Sequence, residues 1–369
     1  MFSVPDSIQA DLHRLAKNAA GNEVTGRIFH PDLKNKYLIR VLMNEAISSS
    51  QLEGAATTTK AALEMLRSGR APRDQSEQMV VNNYHAMQFI RAQKDEPLTS
   101  SIIYELHKIV TWETLRNPEH AGTLRDNDDV VVKDQSDQQT LHHPPKAAEL
   151  PERIRRICVF ANEDEPSVFI DPAVKAIILH FMLAYDHPFE DGNGRTARAL
   201  FYWMCFQKGY ELIEFLSISR TLKKEPGQYK RAYLYTETDD NDLTYFLLHQ
   251  LAVINKELVA LHEFLEKESK ALEETEKLLE GRFRLEKTLN PRQVALIKHA
   301  LKRPGARYTI QEHMTFHGVT YQTARTDLLE LASQNLLDKF KKGKTFIFEA
   351  PSNLRDRIMT VKNESKSES

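Results

Sequence analysis

The twelve residues from His187 to Arg198, His-Pro-Phe-Glu-Asp-Gly-Asn-Gly-Arg-Thr-Ala-Arg, constrain this 369-residue chain more than any other stretch. Upstream, Asp171 is placed to cap a helix with Pro172 at its first position, and Val174, Ile177, Ile178, Phe181, Met182 and Tyr185 follow at helical spacing. Downstream, Arg195 to Lys208 is rich in Ala, Leu and aromatic residues and predicts a second helix, which Gly209 stops. The polar, glycine-containing stretch is therefore a turn between two buried helices.

The residue types in that turn suit one kind of chemistry. Gly192 and Gly194 permit backbone conformations that larger residues resist, so the amides of Gly192, Asn193 and Gly194 can face a single anion. The helix that starts near Arg195 adds the positive end of its dipole. Arg195 and Arg198 are three apart, on one helix face, so both guanidiniums are expected on one polyphosphate. Asp191 is a candidate Mg²⁺ ligand that leaves His187 uncoordinated, and His187, neutral near pH 7, is a candidate base for an incoming hydroxyl. Phe189 reads as the apolar wedge that seats the loop.

This stretch resembles the signature of the Fic family, His-x-Phe-x-(Asp/Glu)-Gly-Asn-Gly-Arg-x-x-Arg, and meets every fixed position of it. The resemblance implies transfer of a nucleoside monophosphate, usually AMP from ATP, onto a protein hydroxyl, with pyrophosphate leaving. It makes His187 the base, Asp191 the Mg²⁺ ligand, and Gly192 to Arg198, with Thr196 and Ala197 between the two arginines, the phosphate-binding segment. Arg198 is expected at the γ-phosphate. Farther upstream, Ser49, Glu53 and Gly54 match the family's inhibitory motif, (Ser/Thr)-x-x-x-Glu-(Gly/Asn), at the end of a helix predicted from Tyr37 to Leu52. The implied role is a Glu53 carboxylate that pairs with Arg198 and displaces the γ-phosphate. The run Gly122-Thr123-Leu124-Arg125, followed by a polar turn and Val130-Val131-Val132, reads as a short hairpin and resembles the family's target-holding flap, with Leu124 where the family usually has Tyr. Over the adenine, Tyr229 and Thr236 are carried over, while Gln228 replaces the first Tyr of the usual pair.

Composition closes off other classes. A formal net charge of −2 gives no global pull toward nucleic acid or membranes, so such binding requires a local patch. No apolar run of membrane-spanning length and no signal-peptide pattern at Met1 to Asp6 are found, so a cytoplasmic protein with no membrane partner is expected. Cys158 and Cys205 lie in apolar helical surroundings and read as reduced core thiols. His142 and His143, before Pro144-Pro145, read as loop histidines.

The expected fold is mainly α: a Fic-type helical bundle with a small β-hairpin flap, plus a C-terminal winged helix-turn-helix domain. The divisions are 1–95, irregular to about residue 35 apart from one short helix and then carrying the inhibitory helix (about 37–53); 96–250, the catalytic core; 251–289, a connecting helix; 290–350, the winged-helix domain; and 351–369, a disordered polar tail. Leu247, Leu251, Ile254, Leu258, Leu261, Leu265, Leu272 and Leu279 form a heptad-like seam that suits either packing on the bundle or pairing of two chains as a homodimer. The expected activity is protein adenylyltransferase with ATP and Mg²⁺, acting on a target protein the sequence does not name, the chain itself included. Two alternatives stay open: a DNA-binding regulator whose Fic part senses nucleotide, and Fic transfer or removal chemistry with another cosubstrate.

Overall fold

The computed structural model describes residues 1–19, 31–133, 139–163, 169–280, 289–343 and 345–360. Two compact units emerge, each assembled from separated stretches. The first comprises Met1–Ala20, Val41–Leu63 and Ala71–Ala260, and the second Gly21–Arg40, Glu64–Arg70 and Leu261–Ser369.

In chain order the first helices are α1 (Asp6–Ala19), α2 (Pro31–Leu52), α3 (Thr59–Ser68), α4 (Gln75–Ala92) and α5 (Ser100–Thr111). A hairpin of β1 (Val132–Lys133) and β2 (Thr140–His142) follows, then α6 (Leu150–Asn162), α7 (Pro172–Asp186), α8 (Asn193–Gln207), α9 (Ile218–Lys224), α10 (Pro226–Thr238) and α11 (Thr244–Glu280). The mainly helical expectation is met, and the one helix expected in the lead-in is α1, while residues 20–30 lie outside the described ones. α1 has 14 residues with Ile8 and Leu15 buried, and Pro31 opens α2 six residues before the helical pattern becomes visible at Tyr37.

The centre of the first unit is the pair α7 and α8. Neither is amphipathic: α7 is buried continuously from Ala173 to Phe181, and α8 from Arg195 to Phe206. A helix apolar on all sides must be surrounded. α4 and α5 pack on α8, and α6 on α7. Asp171 Oδ1 accepts from the Ala173 amide at 2.8 Å with Pro172 at the first position, and Gly209 follows α8 at φ +74°. Local capping chemistry thus places both helix boundaries, and the six residues between α7 and α8 have no freedom to drift.

The seam on α11 is used inside the chain: Leu247, Leu251, Ile254 and Leu258 are buried in the first unit, and Leu261 and Leu265 in the second. The side chains of Leu272 and Leu279 lie outside the described ones.

The second unit continues with α12 (Pro291–Lys302), β3 (Arg307–Thr309), α13 (Ile310–His317), α14 (Tyr321–Ser333), β4 (Asp338–Lys342), β5 (Thr345–Glu349) and α15 (Leu354–Thr360). The three strands form an antiparallel sheet in the order β3-β5-β4. Reciprocal capping boxes, Asn290 with Gln293 and Thr309 with Glu312, start α12 and α13. The tail expectation needs correction. Leu354 and Ile358 on α15 are buried in the core of this unit, so order extends past Pro351; residues 361–369 lie outside the described ones.

Candidate active site

His187 occupies the C-cap of α7 in a left-handed conformation, φ 44° and ψ 55°, with its amide still donating to the Leu183 carbonyl at 3.1 Å. Such a φ is uncommon for a residue with a side chain and persists only when the surroundings fix it. They do. The Arg125 amide donates to Pro188 O at 3.0 Å, and its guanidinium donates through Nε to His187 O at 3.1 Å and through Nη2 to Pro145 O. The Asn193 side chain grips Phe189 at both ends, accepting from its amide at 3.0 Å and donating to its carbonyl at 2.8 Å.

His107 on α5, which the sequence did not single out, is the third clamping residue. Its ring stacks on Phe189 with centroids 3.7 Å apart, and the Gly122 amide donates to its Nδ1 at 2.9 Å. Nδ1 is therefore the acceptor, and Nε2 carries the proton that it donates to Asp191 O at 2.8 Å. Burial pushes the His107 pKa down to about 4, which keeps this ring neutral. Gly122 has φ +79°, and a Cβ there would meet Tyr104 O at 2.9 Å, so only glycine brings its amide to His107.

The His187 imidazole is oriented by a short-range bond: Nδ1 lies 3.2 Å from the Ala184 carbonyl, which can only accept. Nδ1 thus holds the proton and Nε2 the lone pair. Burial lowers the His187 pKa to about 4, with Arg125 and His142 adding to the effect and the Ala184 and Glu53 oxygens opposing it.

Helix α8 begins after Gly192, a left-handed N-cap at φ +81°, and its first internal bond runs from the Thr196 amide to Gly192 O. The Asn193 and Gly194 amides precede that bond and, by helix geometry, have no partner one turn back. Thr196 and Ala197 are fully buried, and the Thr196 hydroxyl donates to Gly192 O at 2.9 Å, so their side chains serve the helix.

The two arginines diverge. Arg195 is buried, donates to Val110 O at 3.2 Å and lies 3.4 Å from Asp191 Oδ1, while its Nε has no hydrogen-bond partner among the described residues. Arg198 turns the other way. Its Nε donates to Ser49 Oγ at 2.9 Å, and its Nη2 to Ser49 O at 3.2 Å and to Glu53 Oε1 at 2.7 Å. In this arrangement one guanidinium braces the loop, and the other is occupied by Ser49 and Glu53. Burial alone disfavours the Arg198 charge, yet Glu53 carries its pKa above the ordinary guanidinium value.

Glu53 closes α2, where Gly54, at φ +94°, ends the helix and the Ala55 amide caps Ser50 O. Its carboxylate lies directly over Gly194, where any Cβ would collide with Glu53 Oε1. Gly194 is thus small for a reason the sequence could not show, since the group above it comes from 141 positions upstream.

A buried carboxylate the sequence reading missed holds α2 in register. Glu45, 1% exposed and two turns before Glu53, accepts from Ser217 Oγ at 2.8 Å, from the Ser219 amide at 3.1 Å and from Ser219 Oγ, all at the start of α9. Burial raises its pKa, against which the two serines and Arg198 act.

Glu53, His187, Gly194 and Arg198 line one pocket of about 480 Å³, whose other wall carries Tyr229 and Tyr233 of α10. Tyr229 OH hydrogen-bonds His180 Nε2 at 2.8 Å and Tyr233 OH at 3.2 Å. Thr236 does not join this wall: it is fully buried and its hydroxyl has no hydrogen-bond partner among the described residues.

The hairpin is a further correction. Val132 pairs with His142 and Lys133 with Thr140, so Gly122 to Arg125 lie before the strands, and their structural part is to brace His107 and His187. Neither Val130 nor Val131 is a strand residue. The partner strand is set instead by His142, which is no loop residue: its ring bonds Glu237 Oε2 at 2.8 Å and Tyr185 O at 2.7 Å.

Asp191 is 58% exposed at its side chain, with Oδ1 accepting from the Gly192 amide at 2.5 Å. Among the described residues no three His, Cys, Asp or Glu side chains converge as a metal cage. A single carboxylate still fits Mg²⁺, which commonly takes one or two carboxylates plus substrate phosphates and water.

Residues 97–205 match the model of the Fic/DOC family. The chain is 26% identical over 181 residues to "Protein adenylyltransferase Fic" of Nematostella vectensis, covering 48% of this chain and 39% of that one. It is 28% identical over 184 residues to "Protein adenylyltransferase fic-1" of Caenorhabditis elegans, covering 48% and 33%. It therefore spans between a third and two fifths of these relatives' length. In fold it is similar to a Fic family protein from Desulfovibrio desulfuricans G20, with a TM-score of 0.61 at 15% identity over 94% of this chain and 97% of that one. It is also similar to residues 134–508 of C. elegans Fic-1, with a TM-score of 0.51 at 17% identity over 72% of each. Among the described residues, no helix is long and apolar enough to cross a membrane.

Proposed function

We propose that this chain, a Fic-domain protein, is a protein adenylyltransferase that moves AMP from ATP to a hydroxyl of a protein and is held back by its own Glu53. The observation that carries this reading is the placement of His187, the amide end of α8 and Arg198 on one pocket wall, with Glu53 on Arg198. ATP lays its phosphates along the first turn of α8, where the Asn193 and Gly194 amides and the helix dipole favour negative charge. The target hydroxyl approaches His187 Nε2, loses its proton to that lone pair, and its oxygen bonds the α-phosphorus as the bond to pyrophosphate breaks. Asp191 would hold Mg²⁺, which when bound neutralises charge on the phosphates. Arg198 reaches the terminal phosphate only after releasing Glu53. Tyr229 and Tyr233 offer the nucleobase an aromatic wall.

Intact mass of the purified chain incubated with ATP and Mg²⁺, alone and with candidate target proteins, tests the reaction class. Gain of one AMP, abolished by EDTA, is expected on the chain itself or on a target. Unchanged mass for a Glu53→Gly variant together with all targets would overturn the assignment.

A second measurement tests the base. Because His187 is depressed to about 4, it stays neutral and competent above that value and is lost only as pH falls through it. An NMR titration of the His187 ring in the free enzyme should show a midpoint near 4. A midpoint near the ordinary 6.5 would show that the ring is not held desolvated.

A further inference from the structure

The second unit carries a charge pattern that the transferase reading does not use. Residues 290–350 hold ten Lys and Arg against five Asp and Glu, whereas the whole chain holds 50 against 52, leaving 40 against 47 elsewhere. All five carboxylates have partners inside the unit. Asp327 is bonded by Arg292 and His313, Glu330 by Gln293, Glu312 by its capping box, Glu349 by Arg307 and Asp338 by Arg357. Seven cations of this stretch are exposed among the described residues: Lys302, Arg303 and Arg307, then Arg325 on α14, and Lys339, Lys341 and Lys342 on β4. The surplus is thus positive and outward.

The backbone shapes this surplus into two adjoining pieces. α13 ends at Gly318, a left-handed C-cap at φ +62°, and Thr320 caps α14 two residues later, a tight helix-turn-helix. α14 buries Ala324, Leu328 and Leu331 and leaves Tyr321, Gln322, Arg325 and Thr326 exposed on its first two turns. Those are side chains able to donate to or accept from base edges, at the end of the helix that enters a groove in helix-turn-helix proteins. β4 is an edge strand exposed at all five residues, and the hairpin it makes with β5 carries the lysines. Edge lysines also discourage strand-to-strand aggregation. That role would not place Gln322 and Arg325 on the neighbouring helix.

We propose that this face binds duplex DNA, with the start of α14 in the major groove and the β4 lysines on flanking phosphates. Charge complementarity selects the partner: a polyanion with readable edges fits the outward cations beside amide and guanidinium groups. The proposal is independent of the transferase reading.

The test uses the full chain, fluorescently labelled mixed-sequence duplexes of about two helical turns, and a salt titration. Binding at low salt should weaken steeply as salt rises, and Lys339→Ala with Lys341→Ala and Lys342→Ala should flatten the log–log slope by about 3 units, near 0.9 for each phosphate contact. Selection from a random duplex pool should enrich a sequence with the wild type. Gln322→Ala or Arg325→Ala should reduce the preference for it by roughly 10- to 100-fold. All these side chains are exposed, so an unchanged thermal midpoint serves as the folding control. Absence of duplex binding at low salt, or binding that none of these substitutions alters, would overturn the proposal and point to a protein partner for this face.

Discussion

Replacement of His187 by Ala is expected to slow AMP transfer by on the order of 10²- to 10⁴-fold while ATP binding persists. A hydroxyl is a poor nucleophile until its proton is taken during attack, and His187 Nε2 presents a lone pair for that task on this pocket wall, since Nδ1–H is committed to Ala184 O. The contacts proposed for ATP, on the first turn of α8 and the tyrosine wall, do not involve the imidazole, so affinity and rate should separate. The left-handed backbone supplies a control. Alanine at φ 44° is strained, whereas Asn tolerates that region, so His187→Asn should be as slow as His187→Ala with a smaller loss of thermal stability. Initial rates and ATP calorimetry on both variants check this, and transfer at the wild-type rate by either removes His187 from the mechanism.

Substitution of Glu53 by Gly is expected to raise the transfer rate by about 10- to 100-fold. That factor corresponds to the roughly 1.5–3 kcal/mol of a hydrogen bond to a charged group, which on the proposed reading the wild type gives up before ATP claims Arg198. The pair is placed to act as such a latch: Oε1 lies 2.7 Å from Nη2, Arg198 is buried, and the Glu53 carboxylate covers Gly194, where the phosphates are proposed to lie. Gly54 already terminates α2, and Glu45 anchors the helix two turns earlier through Ser217 and Ser219, so loss of the Glu53 side chain leaves the helix seated. Arg198→Ala should be slow with or without Glu53, because the arginine is the shared partner. Equal rates for wild type and Glu53→Gly at saturating ATP and Mg²⁺ would leave Glu53 as a helix-end carboxylate without regulatory effect.

What the sequence by itself determined was whatever depends on a few neighbouring residues. Asp171 with Pro172 started α7, Gly209 stopped α8, and the apolar composition on either side of His187 required two buried helices with a polar turn between them. The capping boxes that start α12 and α13 are equally local, each closed within three positions. Only the tertiary structure decided which groups meet across the chain. His107 reaches Asp191 over 84 positions, Arg125 reaches His187 over 62, and Glu53 reaches Arg198 over 145. The strand partner of Val132 was set by His142, anchored to Glu237 and Tyr185, and residues past Pro351 were ordered because Leu354 and Ile358 found a core to enter. Arg195 and Arg198 share a helix face by periodicity, yet Val110 O and Glu53 draw them apart. Periodicity states where a side chain leaves the backbone. Where its charge goes is set by the nearest desolvated partner, and that partner is brought there by packing.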